Sequence, residues 1–218
     1  MKLKPIPFAL ILALVSSGAI AGPSWIDWTS TSSGSLTVGA TTVGVTLSGS
    51  APVSQIDGDY YYNNSSTGGT AVNGTYGGLT PSDMLQVSDA SSFTLSFSQA
   101  ILNPYIALVS VGQGYAVNYT FNGPVTVLTA GPNYWGYIGY TSSGNTLTGY
   151  EYNGVVQLAG SYTSLTVSTA PGEYWHGFNV GTDAVAAPVP EPETYAMMLA
   201  GLGLLGVVAR RRKQKLNA

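Results

Sequence analysis

The chain of 218 residues carries a formal net charge of −3 and has no cysteine, which excludes disulfides, thiol catalysis and cysteine metal sites. No Lys or Arg occurs between Gly22 and Ala187, whereas eight of the ten carboxylates do, because only Glu191 and Glu193 lie beyond this segment. Its formal charge of −8 excludes nucleic-acid binding, which depends on cationic contacts to phosphate, and suits cations or neutral ligands such as glycans.

The first 21 residues have the three parts of a secretory signal peptide. Lys2 and Lys4 give a positive start, Phe8–Val15 is a short apolar core, and Ala19 and Ala21 are the small residues that a signal peptidase reads. A buried N-terminal helix and a permanent anchor are the alternatives, but the apolar run is shorter than the roughly 20 residues that span a bilayer. We therefore expect signal peptidase to cleave after Ala21.

Residues 22–182 are predicted to form one all-β domain. Ser92–Ser98 alternates polar and apolar residues, which is typical of a strand with one buried face, and helical periodicity is absent. Pro104–Val111 is more uniformly apolar, like a central strand covered on both sides. Many short strands separated by turn residues favour a β-sandwich or a jelly-roll-like domain. Further strands are expected at Gly114–Phe121, Pro124–Thr129, Gly154–Ala159 and Tyr162–Ser168.

One short pattern recurs in this domain at an offset of 40 residues, from Thr126 to Thr166. Each copy has a strand-like segment, a turn with Pro and Gly, and then a Tyr-Trp pair. Two equivalent hairpins would explain the recurrence, and coincidence in a low-complexity β sequence is the alternative, because two copies do not make a solenoid.

Few residues of the domain are suited to catalysis or metal binding. His176 is the only histidine, which excludes a multi-histidine metal site, and we interpret it as a structural or surface residue. Asp57 and Asp59 flank a glycine, and three interpretations stay open: a plain turn, a Ca²⁺ site, or two carboxylates spaced for glycoside hydrolysis. We expect no enzyme activity, and Ca²⁺ is the single candidate cofactor.

Two aromatic pairs are candidates for contact with a glycan. They are Tyr134 with Trp135 and Tyr174 with Trp175. Aromatic faces stack on the apolar C–H faces of sugar rings, although large aromatics more often pack into a core or cover a sheet. Both roles stay open for these four residues.

The C-terminal segment has three successive parts. A Pro-rich linker occupies residues 183–194, and its alternate prolines favour an extended chain. An apolar segment over 195–209 would be about 22 Å long as a helix, which is short for the ~30 Å hydrocarbon core and suits a transient membrane anchor. A basic tail over 210–218 follows, and basic residues in this position stay on the cytoplasmic side of the membrane.

The linker contains Val189, Pro190, Glu191 and Pro192, and the basic tail begins with Arg210, Arg211, Arg212 and Lys213. These residues and the order of the three parts resemble the PEP-CTERM sorting signal. The resemblance implies recognition by an exosortase, removal of the tail, and a bacterium that makes exopolysaccharide or biofilm matrix. An ordinary anchor is the alternative, but it needs a longer apolar run. Runs such as Asn103–Val111 and Glu173–Phe178 also resemble uncharacterised β-rich PEP-CTERM proteins, which implies a single domain and no known activity.

Three hypotheses about function follow, in order of preference. The first is a structural or adhesive protein of the cell surface or extracellular matrix, held among exopolysaccharide or other matrix components after transient attachment to the inner membrane. The second is a carbohydrate-binding module, with or without dependence on Ca²⁺. The third is an enzyme that acts on exopolysaccharide, which needs two suitably placed carboxylates.

Overall fold

The computed structural model describes residues 22–50, 53–55, 76, 79, 83–132, 135–187 and 197–206. Most of these residues lie in β-strands, which form two antiparallel sheets. The all-β prediction is therefore confirmed. The strands are β1 (Ser24–Trp25), β2 (Asp27–Ser30), β3 (Ser33–Val38), β4 (Thr41–Ser50), β5 (Val53–Gln55), β6 (Leu85–Val87), β7 (Ser91–Leu102), β8 (Tyr105–Val111), β9 (Val117–Phe121), β10 (Val125–Val127), β11 (Gly139–Ser143), β12 (Thr146–Tyr150), β13 (Tyr152–Leu158), β14 (Ser161–Ala170), β15 (His176–Thr182) and β16 (Ala184–Val185).

The strand order differs from the chain order in both sheets. The first sheet has the order β10-β13-β8-β15-β6-β5, and β1 also pairs with β15. The second sheet has the order β11-β12-β9-β14-β7-β4-β3-β2, and β16 also pairs with β7. The chain passes repeatedly from one sheet to the other, so neighbouring strands within a sheet are often distant in sequence.

One apolar core lies between the two sheets. Phe93 of β7 and Phe178 of β15 meet there edge to face, with ring centroids 5.4 Å apart. The alternating residues of β7 follow the predicted pattern, because Phe93, Leu95 and Phe97 are buried while Ser92 and Ser96 are exposed. Period-two alternation therefore places the apolar face of each sheet against the other.

Strand β8 is buried on both faces, as its uniformly apolar sequence predicts. Ile106 and Leu108 belong to the core between the sheets. Ala107 and Val109 belong to a second cluster on the opposite face, which also contains Met84. A strand with both faces covered has no solvent side, and its sequence shows no polar alternation for this reason.

The connections gather at two opposite ends of the domain. One end, the loop pole, holds the described connecting residues 88–90, 112–116, 128–132, 135–138 and 171–175, and residue 151 between β12 and β13. The other end, the tail pole, holds the connections that follow β7, β9, β11, β13 and β15. These are residues 103–104, 122–124, 144–145, 159–160 and 183.

Both described ends of the domain lie at the tail pole. Strand β1 pairs with Gly181 and Thr182 at the end of β15. Strand β16 pairs with Ile101 and Leu102 at the end of β7, and the amide of Ala186 donates to Ala100. Ordered pairing thus continues past residue 182 into the segment that the sequence assigns to the linker.

The structure also describes one short helix, α1, at residues 197–206. It lies within the segment 195–209 that the sequence predicts as a membrane-crossing helix. Its side chains Met197, Leu199 and Leu204 are 74%, 65% and 68% exposed. Across the described ranges, no helix combines the length and apolar character needed to cross a membrane.

The 40-residue recurrence does not correspond to two equivalent hairpins. Strand β10 is a three-residue strand at the edge of the first sheet. Strand β14 has ten residues and lies between β9 and β7 in the second sheet. The two copies therefore have different partners and different surroundings, and the hypothesis of equivalent hairpins is wrong.

We expect the substitution Phe178→Ala to lower the free energy of unfolding by about 3–5 kcal/mol, because it leaves a cavity between the sheets against Phe93. Urea unfolding followed by fluorescence would measure the change. Tyr174→Ala is the control, since this side chain is 84% exposed and its removal should change stability by no more than about 0.5 kcal/mol. Equal effects of the two substitutions would contradict a core shared by both sheets.

Candidate functional site

Most of the residues that the sequence singles out for function lie outside the described residues. Three of the four aromatic candidates are described: Trp135, Tyr174 and Trp175. Those outside are the signal residues Ala19 and Ala21, the carboxylates Asp57 and Asp59, the aromatic Tyr134, the motif residues Val189, Pro190, Glu191 and Pro192, and the basic residues Arg210, Arg211, Arg212 and Lys213.

The three described aromatic candidates do not form one surface. Tyr174 is 84% exposed, whereas its neighbour Trp175 is half-buried and packs against the second apolar cluster. Trp135 is 48% exposed and lies in a different connection, between β10 and β11. The Tyr174–Trp175 pair is therefore divided between solvent and core.

Three more exposed apolar side chains follow Trp135 closely in the chain. Tyr137 and Tyr140 are each 38% exposed and Ile138 is 66% exposed. We call these four residues the aromatic platform. It lies where the chain crosses from the edge strand of the first sheet, β10, to the edge strand of the second, β11.

Hydrogen bonds from β13 and the end of β12 hold the backbone of the aromatic platform. The amide nitrogen of Asn153 donates to the carbonyl of Gly136 at 2.9 Å, and the backbone amide of Ile138 donates to Tyr150 at 3.1 Å. Gly136 has a φ of 110°, a conformation that residues with a Cβ rarely adopt. The connection is thus fixed to the sheet at two points.

The tyrosines of the platform also have a buried support. Tyr140 packs edge to face on the buried Tyr152, with ring centroids 5.3 Å apart. The Tyr152 hydroxyl donates to the carbonyl of Thr129 at 2.8 Å. Partial burial, followed by the nearby Tyr140 hydroxyl, raises the pKa of Tyr137, and burial raises the pKa of Tyr152, so the hydroxyls of Tyr137 and Tyr152 are neutral near pH 7.

A buried carboxylate, Glu173, lies beneath the loop pole. It accepts hydrogen bonds from the amide of Gly112 to both oxygens at 3.0 Å, and from the amide of Gln113 at 3.1 Å. It also lies 2.7 Å from Nδ1 of His176, with both side chains almost fully buried. Glu173 therefore fastens the connection after β8 to the connection before β15.

A second buried carboxylate, Glu151, lies between β12 and β13. It accepts a 2.5 Å hydrogen bond from the Ser110 hydroxyl, and the Asn153 side chain accepts one from the Ser110 amide. Burial raises the pKa of Glu151 and the negative charge of Glu173 adds to this, while the Ser110 hydrogen bond opposes both. Asn153 thus contacts both this buried network and the aromatic platform.

Two buried polar atoms near Glu173 have no hydrogen-bond partner among the described residues. They are Nε2 of His176 and the hydroxyl of Tyr119. The two rings meet edge to face at 5.2 Å, and burial together with Glu173 raises the pKa of Tyr119 well above its ordinary value. Ser110 donates to Glu151 and does not reach Nε2 of His176, so these groups are not arranged as a serine–histidine–carboxylate triad.

The described residues contain no group of three or more His, Asp and Glu side chains that could hold a metal ion. A cavity of about 310 Å³ near β1 has two carboxylates in its lining, Asp27 and Asp83. It also contains Trp25 and Leu36. This cavity is therefore mixed in character and lacks the ligand number of a metal site.

Sequence reasoning missed the buried Glu173 network. The sequence favours a structural or surface role for His176, and the structure shows that this side chain is buried, at 0% exposure. One sequence feature points to this network. Glu173 lies three residues before the only histidine, in a segment that has no Lys or Arg to pair with a carboxylate. The partner amides of Gly112 and Gln113, about 60 residues away, leave no such signal.

Residues 188–213 match the PEP-CTERM protein-sorting motif. The chain carries a PEP-CTERM sorting signal. The match includes the Pro190-Glu191-Pro192 triplet and the Arg210–Lys213 cluster, which confirms the resemblance seen in the sequence. The PEP-CTERM signal indicates an exported protein that is sorted to the cell surface and processed by an exosortase. Neither the curated proteins nor the solved structures include a match to the chain.

In this PEP-CTERM protein, we expect Glu173→Ala to lower the free energy of unfolding by about 3–5 kcal/mol. The substitution leaves His176 and the amides of Gly112 and Gln113 without their buried acceptor. Urea unfolding would measure the loss. Glu173→Gln, which keeps one acceptor oxygen, should lose less, and a loss under about 1 kcal/mol for Glu173→Ala would contradict the fastening role.

We expect Glu151→Gln to raise the free energy of unfolding at about pH 8, with a difference that shrinks toward about pH 4. Because folding raises the pKa of Glu151, the folded protein binds this proton more tightly than the unfolded chain does. Stability therefore falls as pH rises from the ordinary value of 4.5 through the raised pKa, and glutamine removes this dependence.

Urea unfolding at a series of pH values would measure this dependence. Asp89→Asn is the matched control, because Asp89 is exposed and its left-handed backbone, with a φ of 58°, tolerates asparagine. A variant Glu151→Gln that is less stable than the wild type at every pH would contradict the expectation.

Proposed function

We propose that this chain is a structural or adhesive protein of the cell surface or extracellular matrix, retained among exopolysaccharide or other biofilm components. The observation that carries the proposal is the sorting signal at residues 188–213, which follows directly on a β domain whose two ends lie at one pole. A domain attached through its tail pole presents its loop pole away from the attachment. Such a geometry suits a protein that is delivered to a surface and contacts material beyond it.

The proposed path to the surface has four steps. Signal peptidase removes residues 1–21, and the domain over 22–182 folds outside the inner membrane as a β-sandwich of the jelly-roll kind. The apolar segment 195–209 then holds the chain transiently in the inner membrane, with the basic residues 210–218 on the cytoplasmic side. An exosortase finally removes the tail at the linker 183–194.

The outer face of the second sheet carries a row of hydroxyl side chains, which suits a protein of a hydrated matrix. Six neighbouring strands there align hydroxyl side chains in one cross-strand row, and the row contains no charge. Hydroxyl groups exchange hydrogen bonds with water and with polysaccharide alike. The row consists of Ser143, Thr146, Thr120, Ser168, Ser92 and Ser50.

A carbohydrate-binding module is the second candidate function, and the exposed aromatic platform favours it. A dependence on Ca²⁺ belongs to this candidate and rests on Asp57 and Asp59 alone. Neither candidate includes catalysis. In both, the buried pair of Glu173 and His176 serves to hold the loop pole in shape.

The sorting signal is tested with the full-length chain expressed in the producing bacterium. We expect the surface-recovered wild type to lack about the last 25 residues by intact mass, as a processed segment should. Replacing Pro190, Glu191 and Pro192 with alanine should leave the chain full-length and in the membrane fraction. Pro188→Ala, just outside the triplet, is the matched control.

A full-length C-terminus on the wild-type surface protein would contradict processing. The matrix role is tested separately, by deleting the gene and measuring the cohesion of the biofilm. Unchanged cohesion, together with recovery of the protein only from the medium, would contradict a structural or adhesive role.

A further inference from the structure

We propose that the aromatic platform, Trp135 with Tyr137, Ile138 and Tyr140, is a binding site for an uncharged polysaccharide chain. This inference deepens the proposed function and rests on it, because it names the class of matrix component that the loop pole contacts. The first observation is exposure: four consecutive large apolar side chains, separated only by Gly136 and Gly139, are each between 38% and 66% exposed. A run of large apolar side chains that is exposed in this way is a candidate interaction site.

The second observation is that the platform is fixed before any ligand arrives. Asn153 and Tyr150 hold its backbone, and the buried Tyr152 supports Tyr140 from below. Asn153 is itself 2% exposed and bonded to Ser110. A site that is already ordered loses little conformational entropy on binding, which is the condition for useful affinity from a small contact area.

The third observation is charge, which selects the ligand. The sequence has no charged residue between Asp89 and Glu151, so the platform and its flanking strands are neutral. The acidic domain around it carries no Lys or Arg and repels polyanions. A cationic polymer would need carboxylates beside the rings, and the nearest one in the chain, Glu151, is 5% exposed. An uncharged polymer is not repelled by the acidic domain and needs no carboxylate beside the rings.

The fourth observation is the chemistry of the exposed groups. Tyr and Trp side chains combine an apolar face with a polar edge, and sugar rings combine apolar C–H faces with equatorial hydroxyls. Ring faces can therefore stack while the tyrosine hydroxyls and the neighbouring Thr141 and Ser142 exchange hydrogen bonds with the sugar. Thr141 and Ser142 continue the platform along β11 and are exposed.

The position of the platform fits a polymer rather than a small sugar. It lies at the corner where the edges of both sheets meet, and β11 is an edge strand with exposed side chains. An edge strand with exposed side chains leaves one side of the strand open to a chain that passes across it. An extended polysaccharide can thus enter and leave the site without an end being bound.

Affinity electrophoresis of the processed protein in native gels tests the proposal, with hydroxyethylcellulose and dextran as uncharged probes, alginate as the anionic probe and chitosan as the cationic probe. We expect retardation by at least one uncharged probe and none by alginate. Trp135→Ala and Tyr137→Ala should each weaken that binding by about tenfold, and Trp135→Phe should retain most of it. Circular dichroism and urea midpoints would show that the variants are folded.

Two matched controls separate sugar stacking from other contacts. Tyr174→Ala removes a more exposed aromatic in the connection before β15, a strand two positions from β13 in the first sheet, and should not change binding. Ile138→Ser removes exposed apolar area without removing a ring, and it should reduce binding far less than Trp135→Ala.

Three outcomes would overturn the proposal. The first is no binding to either uncharged probe, and the second is binding to chitosan alone. The third is self-association in analytical ultracentrifugation that is lost equally in Trp135→Ala and Ile138→Ser, which would assign the platform to a second copy of the chain. If any of these occurs while the sorted protein still reaches the surface with its tail removed, the site is wrong and the proposed function stands.

Discussion

The whole domain depends on one apolar layer between two sheets, because the chain has almost no other means of holding them together. It has no cysteine for disulfides, and residues 22–187 have no Lys or Arg for ion pairs. Within the described residues the single contact between a carboxylate and a basic side chain joins Glu173 to His176. Alternation of side chains along β7, β9 and β14 therefore carries most of the stability, with hydroxyl groups on the outer face and branched or aromatic groups within.

The buried polar network matters where this alternation stops. At the loop pole the chain leaves the sheets, and backbone amides lose their strand partners. Glu173 accepts hydrogen bonds from two of these amides, those of Gly112 and Gln113. The register of β13 against β8 shifts between Tyr152 and Gly154, and there the Asn153 side chain accepts the hydrogen bond of the Ser110 amide. Asn153 then extends the same network to the connection that holds Trp135. The buried network around Glu151 is thus connected to the exposed aromatic platform through the Asn153 side chain.

Much of the sheet structure could be predicted from sequence, but strands rich in glycine could not. β7 and β8 follow their hydrophobic patterns, whereas β15 contains Gly177 and Gly181 and gives no strand signal. Gly181 is needed, since a Cβ there would lie 2.7 Å from the Trp25 ring and 2.8 Å from the carbonyl oxygen of Ser24. The sequence predicts only one residue of the aromatic platform, Trp135, as a candidate. The exposure of Tyr137 and Tyr140 depends on strands that are distant in sequence.

The pairing of β16 with β7 limits how far the folded domain can stand from the apolar segment. The domain is held as far as Ala186, so eight backbone steps separate Ala187 from Tyr195. At about 3.5 Å per step, this connection cannot exceed about 28 Å. A protease that cuts at the Pro-Glu-Pro triplet would have to reach it between the folded domain and the apolar segment. The length of this connection would then be a requirement for sorting that is separate from the motif itself.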